Sequence, residues 1–141
     1  RAVEQNRVST AYATAFGRNP EATYRQIELA GQTAEADGPA LVQLLYDEAI
    51  RALRGAAWAA ENGNYAMKSE KVTRATAILF ALEAGLDFDA GGTVAPALAN
   101  LYAGARQTVV NASIGSDPAP FREVAATLDE IGQAWRTVRA A

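Results

Sequence analysis

Hydrophobic positions recur with helical spacing from about residue 39 onwards. In residues 41–53 the apolar side chains cover about half of a helical cylinder at 100° per residue. The residues of this apolar stripe are Leu41, Val42, Leu45, Tyr46, Ala49, Ile50, Ala52 and Leu53. A helix on the surface of a bundle needs an apolar stripe of only about 100°. The excess width predicts either a central helix with two helical neighbours or a helix that also binds something outside the chain.

The polar half of the same helix contains two exceptions and one expected ion pair. Leu44 and Trp58 fall among polar residues and are candidates for exposed apolar side chains. Asp47 and Arg51 are one turn apart, so we expect them to form a surface ion pair of less than about 1 kcal/mol.

Turn and capping signals divide the rest of the chain into further helices. The first helix is expected to begin at 37–39 and to end at about Glu61, where Asn62-Gly63-Asn64 stops it. The second runs from about Tyr65 to Leu86, and Thr93 is expected to cap the third. Residues 115–118 end the third helix and cap the fourth. The predicted core face of the second helix consists of Val72, Ala75, Ile78, Leu79, Leu82 and Leu86.

The last helix has the most regular spacing in the chain. Its apolar residues are separated alternately by three and four positions, which is typical of a packed seam. They are Phe121, Val124, Leu128, Ile131, Trp135 and Val138. Four long helices with short connections predict an all-α fold, an antiparallel up-down four-helix bundle over residues 39–141. Residues 1–38 are expected to add a short N-terminal helix or a mobile arm to this single domain.

Composition argues against several classes of function. The 141 residues contain no cysteine and no histidine, so the commonest general base and the commonest metal ligand are missing. We therefore expect no enzyme, no cofactor and no metal site, and we interpret Asp87 and Asp89 as part of a solvated turn. The net charge of −3 argues against nucleic-acid binding. No apolar run is long enough for membrane insertion, so a soluble, cytoplasmic protein is expected.

Binding through apolar surface is the remaining class. Small residues crowd the third helix, and they either permit tight internal packing or leave a groove between neighbouring helices. They are Ala97, Ala99, Ala103, Gly104 and Ala105. The half-apolar N-terminal arm is a candidate cover for such a groove.

Several short motifs, in this order and spacing, resemble the flagellar secretion chaperones of the FliS family. The resemblance extends over roughly residues 24–139 and leaves residues 1–23 outside it. The motifs are Leu44-Leu45-Tyr46-Asp47 with Ala49-Ile50, Arg74-Ala75 with Ile78-Leu79, Leu82 and Leu86-Asp87, Gly91-Gly92, Leu98 with Leu101-Tyr102, Asp117 with Phe121, Glu123 and Val124, and Ala134-Trp135. Tyr24 is similar to the tyrosine of that family's N-terminal arm.

The resemblance implies a function. Chaperones of this family hold the disordered C-terminal segment of flagellin in the cytoplasm, prevent premature polymerisation, and deliver the complex to the flagellar export gate. The client segment lays short helices into apolar grooves of the bundle, which is a form of helix-in-groove recognition.

The sequence and the resemblance together predict a partner-binding groove and a cover for it. The arm around Tyr24, Ile27 and Leu29 is expected to cover the empty groove. Two alternatives stay open, a helical module with a client other than flagellin and a self-associating bundle that forms a homodimer. The groove residues predicted are Leu41, Leu44, Leu45, Tyr46, Ile50, Trp58, Leu98, Leu101 and Tyr102.

Overall fold

The computed structural model describes residues 38–140, with the backbone alone at residues 38, 39, 135 and 138–140. These residues form four α-helices and no β-strand. The helices are α1 (Gly38–Glu61), α2 (Tyr65–Ala84), α3 (Val94–Ala112) and α4 (Ala119–Ala140). The predicted all-α four-helix bundle is confirmed, and the predicted helix boundaries agree within about two residues.

The helices pack in cyclic order around one core. Helix α1 packs against both α2 and α4, α2 also packs against α3, and the contact between α3 and α4 is the least extensive of the four. Helices α1 and α3 are therefore diagonal to each other. Short connections between consecutive helices produce this arrangement, as expected for an up-down bundle.

The wide apolar stripe of α1 is enclosed by its two helical neighbours. Val42, Leu45, Ala49 and Leu53 are fully buried in the core. Of the two explanations for the stripe, the central helix is therefore sufficient, and its excess apolar surface does not form an exposed groove. The predicted core face of α2 is confirmed as well, because all six of its predicted residues are buried.

The connection between α1 and α2 uses the residues expected to stop α1. Gly63 has φ +65°, in the left-handed region that favours glycine. Asn64 is the N-cap of α2, where its side-chain oxygen accepts a hydrogen bond from the Met67 amide at 3.1 Å. Before α4, Asp117 likewise accepts a bond from the Ala119 amide at 3.0 Å.

The connection between α2 and α3 differs from the sequence interpretation at two residues. Thr93 has helical backbone angles and its side chain makes no capping hydrogen bond, so the predicted cap is wrong. Asp87 is buried rather than solvated. Its carboxylate accepts hydrogen bonds from the Asp89 and Ala90 amides at 3.1 and 3.0 Å, which take the place of bonds to water. Asp89 itself is exposed. The Asp87 side chain thereby shapes the turn from within, and Gly92 completes it with φ +54°.

In α4, the first half of the predicted seam lies in the core. Phe121, Val124 and Leu128 are buried and Ile131 is half-buried. The side chains of Trp135 and Val138 lie outside the described part of the structure. So do residues 1–37 of the predicted arm over residues 1–38, among them Tyr24, Ile27 and Leu29, whereas Gly38 begins α1. No helix within 38–140 is long and apolar enough to cross a membrane.

Candidate binding groove

A groove opens along the loosest seam of the bundle, between α3 and α4. Its volume is about 230 Å³, below the roughly 300–1,000 Å³ of small-molecule sites. Its rim is exposed, so side chains of a docked segment suit it better than an enclosed ligand. The lining residues are Leu101, Ala105 and Thr108 from α3, and Glu123, Val124, Thr127 and Leu128 from α4.

One small side chain of α3, that of Ala105, lines this groove. The neighbouring Gly104 is exposed, and a Cβ added to it would meet nothing within 4 Å. Two threonines complete the rim, and each directs its hydroxyl back to its own helix. The Thr108 hydroxyl donates to the Gly104 carbonyl at 3.0 Å, and that of Thr127 to the Glu123 carbonyl at 3.1 Å. Each threonine hydroxyl therefore already has a hydrogen-bond acceptor within its own helix, and a docked segment need not supply one.

The floor of the groove is apolar and its rim carries a carboxylate. Leu128 and Val124 are buried beneath it, while Leu101 is half-buried. Glu123 is exposed, and it forms no ion pair with any residue that the structure describes. The groove therefore offers an apolar contact surface beside a free negative charge.

One of the nine predicted groove residues, Leu101, lines this groove. Leu44 is half-buried, and Trp58 is 52% exposed on the outer face of α1, as its place among polar residues indicated. The other six are buried in the core: Leu41, Leu45, Tyr46, Ile50, Leu98 and Tyr102. A docked segment could contact those six only if the helices moved apart.

Two of the six, Tyr46 and Tyr102, bond to each other. Their hydroxyl groups share a hydrogen bond inside the core. Burial raises the pKa of Tyr46 well above its ordinary value, and the neighbouring Tyr102 raises it further. Each buried hydroxyl thereby has a hydrogen-bond partner within the core.

The expected ion pair between Asp47 and Arg51 is not formed. Arg51 bonds instead to Glu48, three residues before it. Asp47 pairs with Arg136 of α4, at 3.3 Å. Sequence spacing missed this pairing because it could not show that α4 brings an arginine beside α1.

Glu48 is a buried carboxylate that no motif or spacing in the sequence marks as special. Its side chain is 6% exposed, and it accepts hydrogen bonds from Arg51 and from Arg74 of α2, the latter at 3.2 Å. It therefore links α1 to α2. The described residues contain no group of three or more acidic side chains placed to hold a metal ion.

The groove residues Val124, Leu128, Thr108 and Thr127 were not predicted as site residues. The regular spacing of α4 marked Val124 and Leu128 as core, which is correct for their burial. The run of small residues on α3 was the one sequence signal that pointed to this seam. It could not decide between tight packing and a groove, since that depends on the distance between α3 and α4.

Comparison with known proteins agrees with the architecture and with the motifs. The family model described as "Flagellar protein FliS" matches residues 20–141. The flagellar secretion chaperone FliS of Salmonella typhimurium is 30% identical over 116 residues, which cover 82% of this chain and 86% of that protein. FliS of Vibrio cholerae is 29% identical over 112 residues, covering 79% and 82% of the two chains. FliSB of Pseudomonas aeruginosa is 30% identical over 112 residues, covering 79% and 89%.

The relatives' names describe chaperones rather than enzymes, in agreement with the function class expected from the sequence. The family match extends over all four helices and over both walls of the groove. The chain therefore belongs to the FliS family of flagellar secretion chaperones.

Proposed function

We propose that this protein is a cytoplasmic export chaperone that binds the disordered C-terminal region of flagellin in the α3–α4 groove. Binding would keep that region from premature polymerisation until the complex reaches a component of the flagellar export gate. The observation that carries the proposal is an apolar groove, open at its rim, in a member of a flagellar secretion chaperone family.

The groove has the chemistry that helix-in-groove recognition needs. Apolar anchors of an amphipathic helix repeat at three- and four-residue spacing, and Leu101, Ala105, Val124 and Leu128 supply an apolar surface parallel to such a stripe. Ordering a disordered client costs about 2–5 kcal/mol of the interaction energy. That cost lowers the net affinity of a long contact, and we expect it to favour release without a nucleotide-driven step.

A self-associating bundle is the second candidate, and one observation favours it. Trp58 is half exposed on the outer face of α1, and tryptophan is enriched at the energetic centres of protein interfaces. Sedimentation velocity with and without flagellin distinguishes the two. The chaperone proposal expects a monomer that takes up flagellin, whereas a concentration-independent dimer that ignores flagellin supports the homodimer.

Binding measurements with an obstructed groove test the chaperone proposal. Thr108 lies exposed on the groove rim, so Thr108→Trp fills the groove without disturbing the core. Ala66→Trp, at an exposed position of α2, is the matched control. By calorimetry, we expect full-length flagellin to bind the wild type and the control, and to bind Thr108→Trp at least about tenfold more weakly, a loss of about 1.4 kcal/mol.

Flagellin that lacks its C-terminal region should bind none of the three proteins. Equal binding of full-length and truncated flagellin would contradict the assignment of the client segment. Equal binding of flagellin to Thr108→Trp and to Ala66→Trp would contradict the assignment of the groove.

We also propose that the N-terminal arm around Tyr24, Ile27 and Leu29 covers the groove until flagellin displaces it. Tyr24→Ala should then raise the affinity for flagellin and speed proteolysis of the arm in the free protein. If neither the affinity nor the cleavage rate changes, the arm does not act as a cover.

A further inference from the structure

Among the side chains that the structure describes, the single charged one that lines the α3–α4 groove is acidic. Helix α3 contains a single charged residue, Arg106, and its guanidinium bonds to Glu83 of α2, on the side away from the groove. Helix α4 contributes Glu123 to the lining. Glu130 follows two turns later, on the same side of the helix as Glu123 and Thr127.

Neither glutamate is neutralised within the described part of the chain. The two arginines of α4 with described side chains are directed towards α1, where Arg122 pairs with Glu61 and Arg136 with Asp47. Glu123 and Glu130 are exposed, and neither forms an ion pair with a side chain that the structure describes. Helix α4 thus directs its two described arginines towards α1 and places Glu123 and Glu130 on the groove side.

Resting on the proposed function, we infer that the groove selects a flagellin segment whose apolar stripe is bordered by basic side chains that pair with Glu123 and Glu130. The two glutamates are seven residues apart, which is about 10.5 Å along a helix axis. A client helix lying along α4 meets both of them with basic residues about two turns apart. Complementary charge at such a rim governs specificity and orientation more than total affinity.

The free groove gives a reason for the carboxylates to have no internal partner. An internal salt bridge across the rim would have to break before a client could enter. With the partner cation on the client, the same interaction forms only in the complex. The negative charge of the rim also selects against acidic client segments, because Glu123 repels a carboxylate of the client.

The test uses charge-neutral variants of the full chaperone and the C-terminal segment of flagellin as the probe. Glu123→Gln keeps the size of the side chain and removes its charge. Glu70→Gln is the matched control, since Glu70 is exposed on α2, which does not pack against α4. We expect Glu123→Gln to weaken binding about three- to tenfold at low salt, and the difference from the control to shrink at high salt.

A double-mutant cycle then identifies the client residue. Each basic residue of the flagellin segment is changed to glutamine in turn and titrated against the wild type and Glu123→Gln. The inference predicts one basic residue whose replacement has little further effect in Glu123→Gln. The same cycle with Glu130→Gln should identify a second basic residue about seven positions away.

The outcomes separate this inference from the proposed function. If the wild type binds and Glu123→Gln binds as tightly as Glu70→Gln, or more tightly, the charge inference is wrong and the chaperone proposal stands. If the wild type itself does not bind the segment, both are wrong. Circular dichroism of each variant confirms that the helices are intact, so that a loss of binding reports on the groove.

Discussion

Tyr46 of α1 and Tyr102 of α3 meet hydroxyl to hydroxyl across the diagonal of the bundle. Their ring centroids are 6.3 Å apart and their ring planes are inclined at 73°, an edge-to-face arrangement. The backbones of α1 and α3 stand apart, with no Cα atom of one helix within 8 Å of a Cα atom of the other. The tyrosine pair therefore bridges the diagonal and helps to set how far α3 stands from the rest of the core.

Removal of one hydroxyl of this pair should destabilise the fold. Tyr102→Phe leaves the buried Tyr46 hydroxyl without its described partner, which costs about 1–3 kcal/mol. The double variant Tyr46→Phe/Tyr102→Phe should cost less than the sum of the single variants, because the coupled groups are then both absent. Urea unfolding measures the three values, and strictly additive losses would show that the hydroxyl groups are not coupled.

The same pair predicts a dependence of stability on alkaline pH. Burial raises the pKa of Tyr46 well above the ordinary 10.0, so the native state holds this proton more tightly than the unfolded chain does. The resulting stabilisation is complete below pH 10 and is lost as the pH rises above it. The free energy of unfolding should fall more steeply above pH 10 in the wild type than in Tyr46→Phe. Parallel curves for the two proteins would argue against a role for Tyr46.

Adjacent carboxylates on α1 should differ in their effect on stability. Glu48→Gln removes a buried carboxylate that two arginines contact, and we expect a loss of about 1–3 kcal/mol. Asp47 is 41% exposed, and burial raises its pKa above 3.8 although Arg136 and Arg51 oppose the shift. Its net contribution to stability therefore declines as the pH rises through that raised pKa.

Asp47→Asn should accordingly change the free energy of unfolding at neutral pH by no more than about 0.5 kcal/mol. Thermal or urea unfolding of the two variants provides the comparison. A larger loss for Asp47→Asn than for Glu48→Gln would reverse the order that their burial and contacts predict.

Lys68 is expected to hold the α3–α4 connection against α2. Its ammonium donates a hydrogen bond to the Gly115 carbonyl at 2.7 Å and lies 5.3 Å from the centre of the Tyr65 ring. Lys68→Met keeps the long apolar stem and removes both interactions, at a cost of about 1 kcal/mol. Amide hydrogen exchange should become faster in residues 113–118 and stay unchanged in the middle of α1. Unchanged exchange in residues 113–118 would contradict this role.

The fold could be predicted from the sequence because its signals are local. Glycines at 63 and 92, prolines near helix ends and three-to-four spacing define where helices begin, end and bury a face. The wide apolar stripe of α1 indicated that this helix is covered on more than one side. It did not indicate whether the covering surface belongs to this chain or to a partner. Thr93 shows the limit at helix ends, because a threonine in the right place formed no cap.

The site was harder to predict because a groove is a property of two helices. Leu98 and Leu101 have the same residue type and lie on adjoining sides of α3, yet Leu98 is buried in the core and Leu101 lines the groove. Likewise, Asp47 is within one turn of Arg51 but pairs with Arg136, 89 positions away. These outcomes depend on the distances between helices. The spacing of residues along a single helix does not determine those distances.

The most direct measurement of where the client binds is an amide footprint on the intact chaperone. Nuclear magnetic resonance spectra are recorded with and without the C-terminal segment of flagellin, and the shifted amides are mapped onto the helices. If flagellin docks in the groove, the largest changes should fall at Leu101, Ala105, Thr108, Val124 and Thr127. Changes centred on Trp58 and the outer face of α1, with the groove amides unmoved, would contradict this docking site.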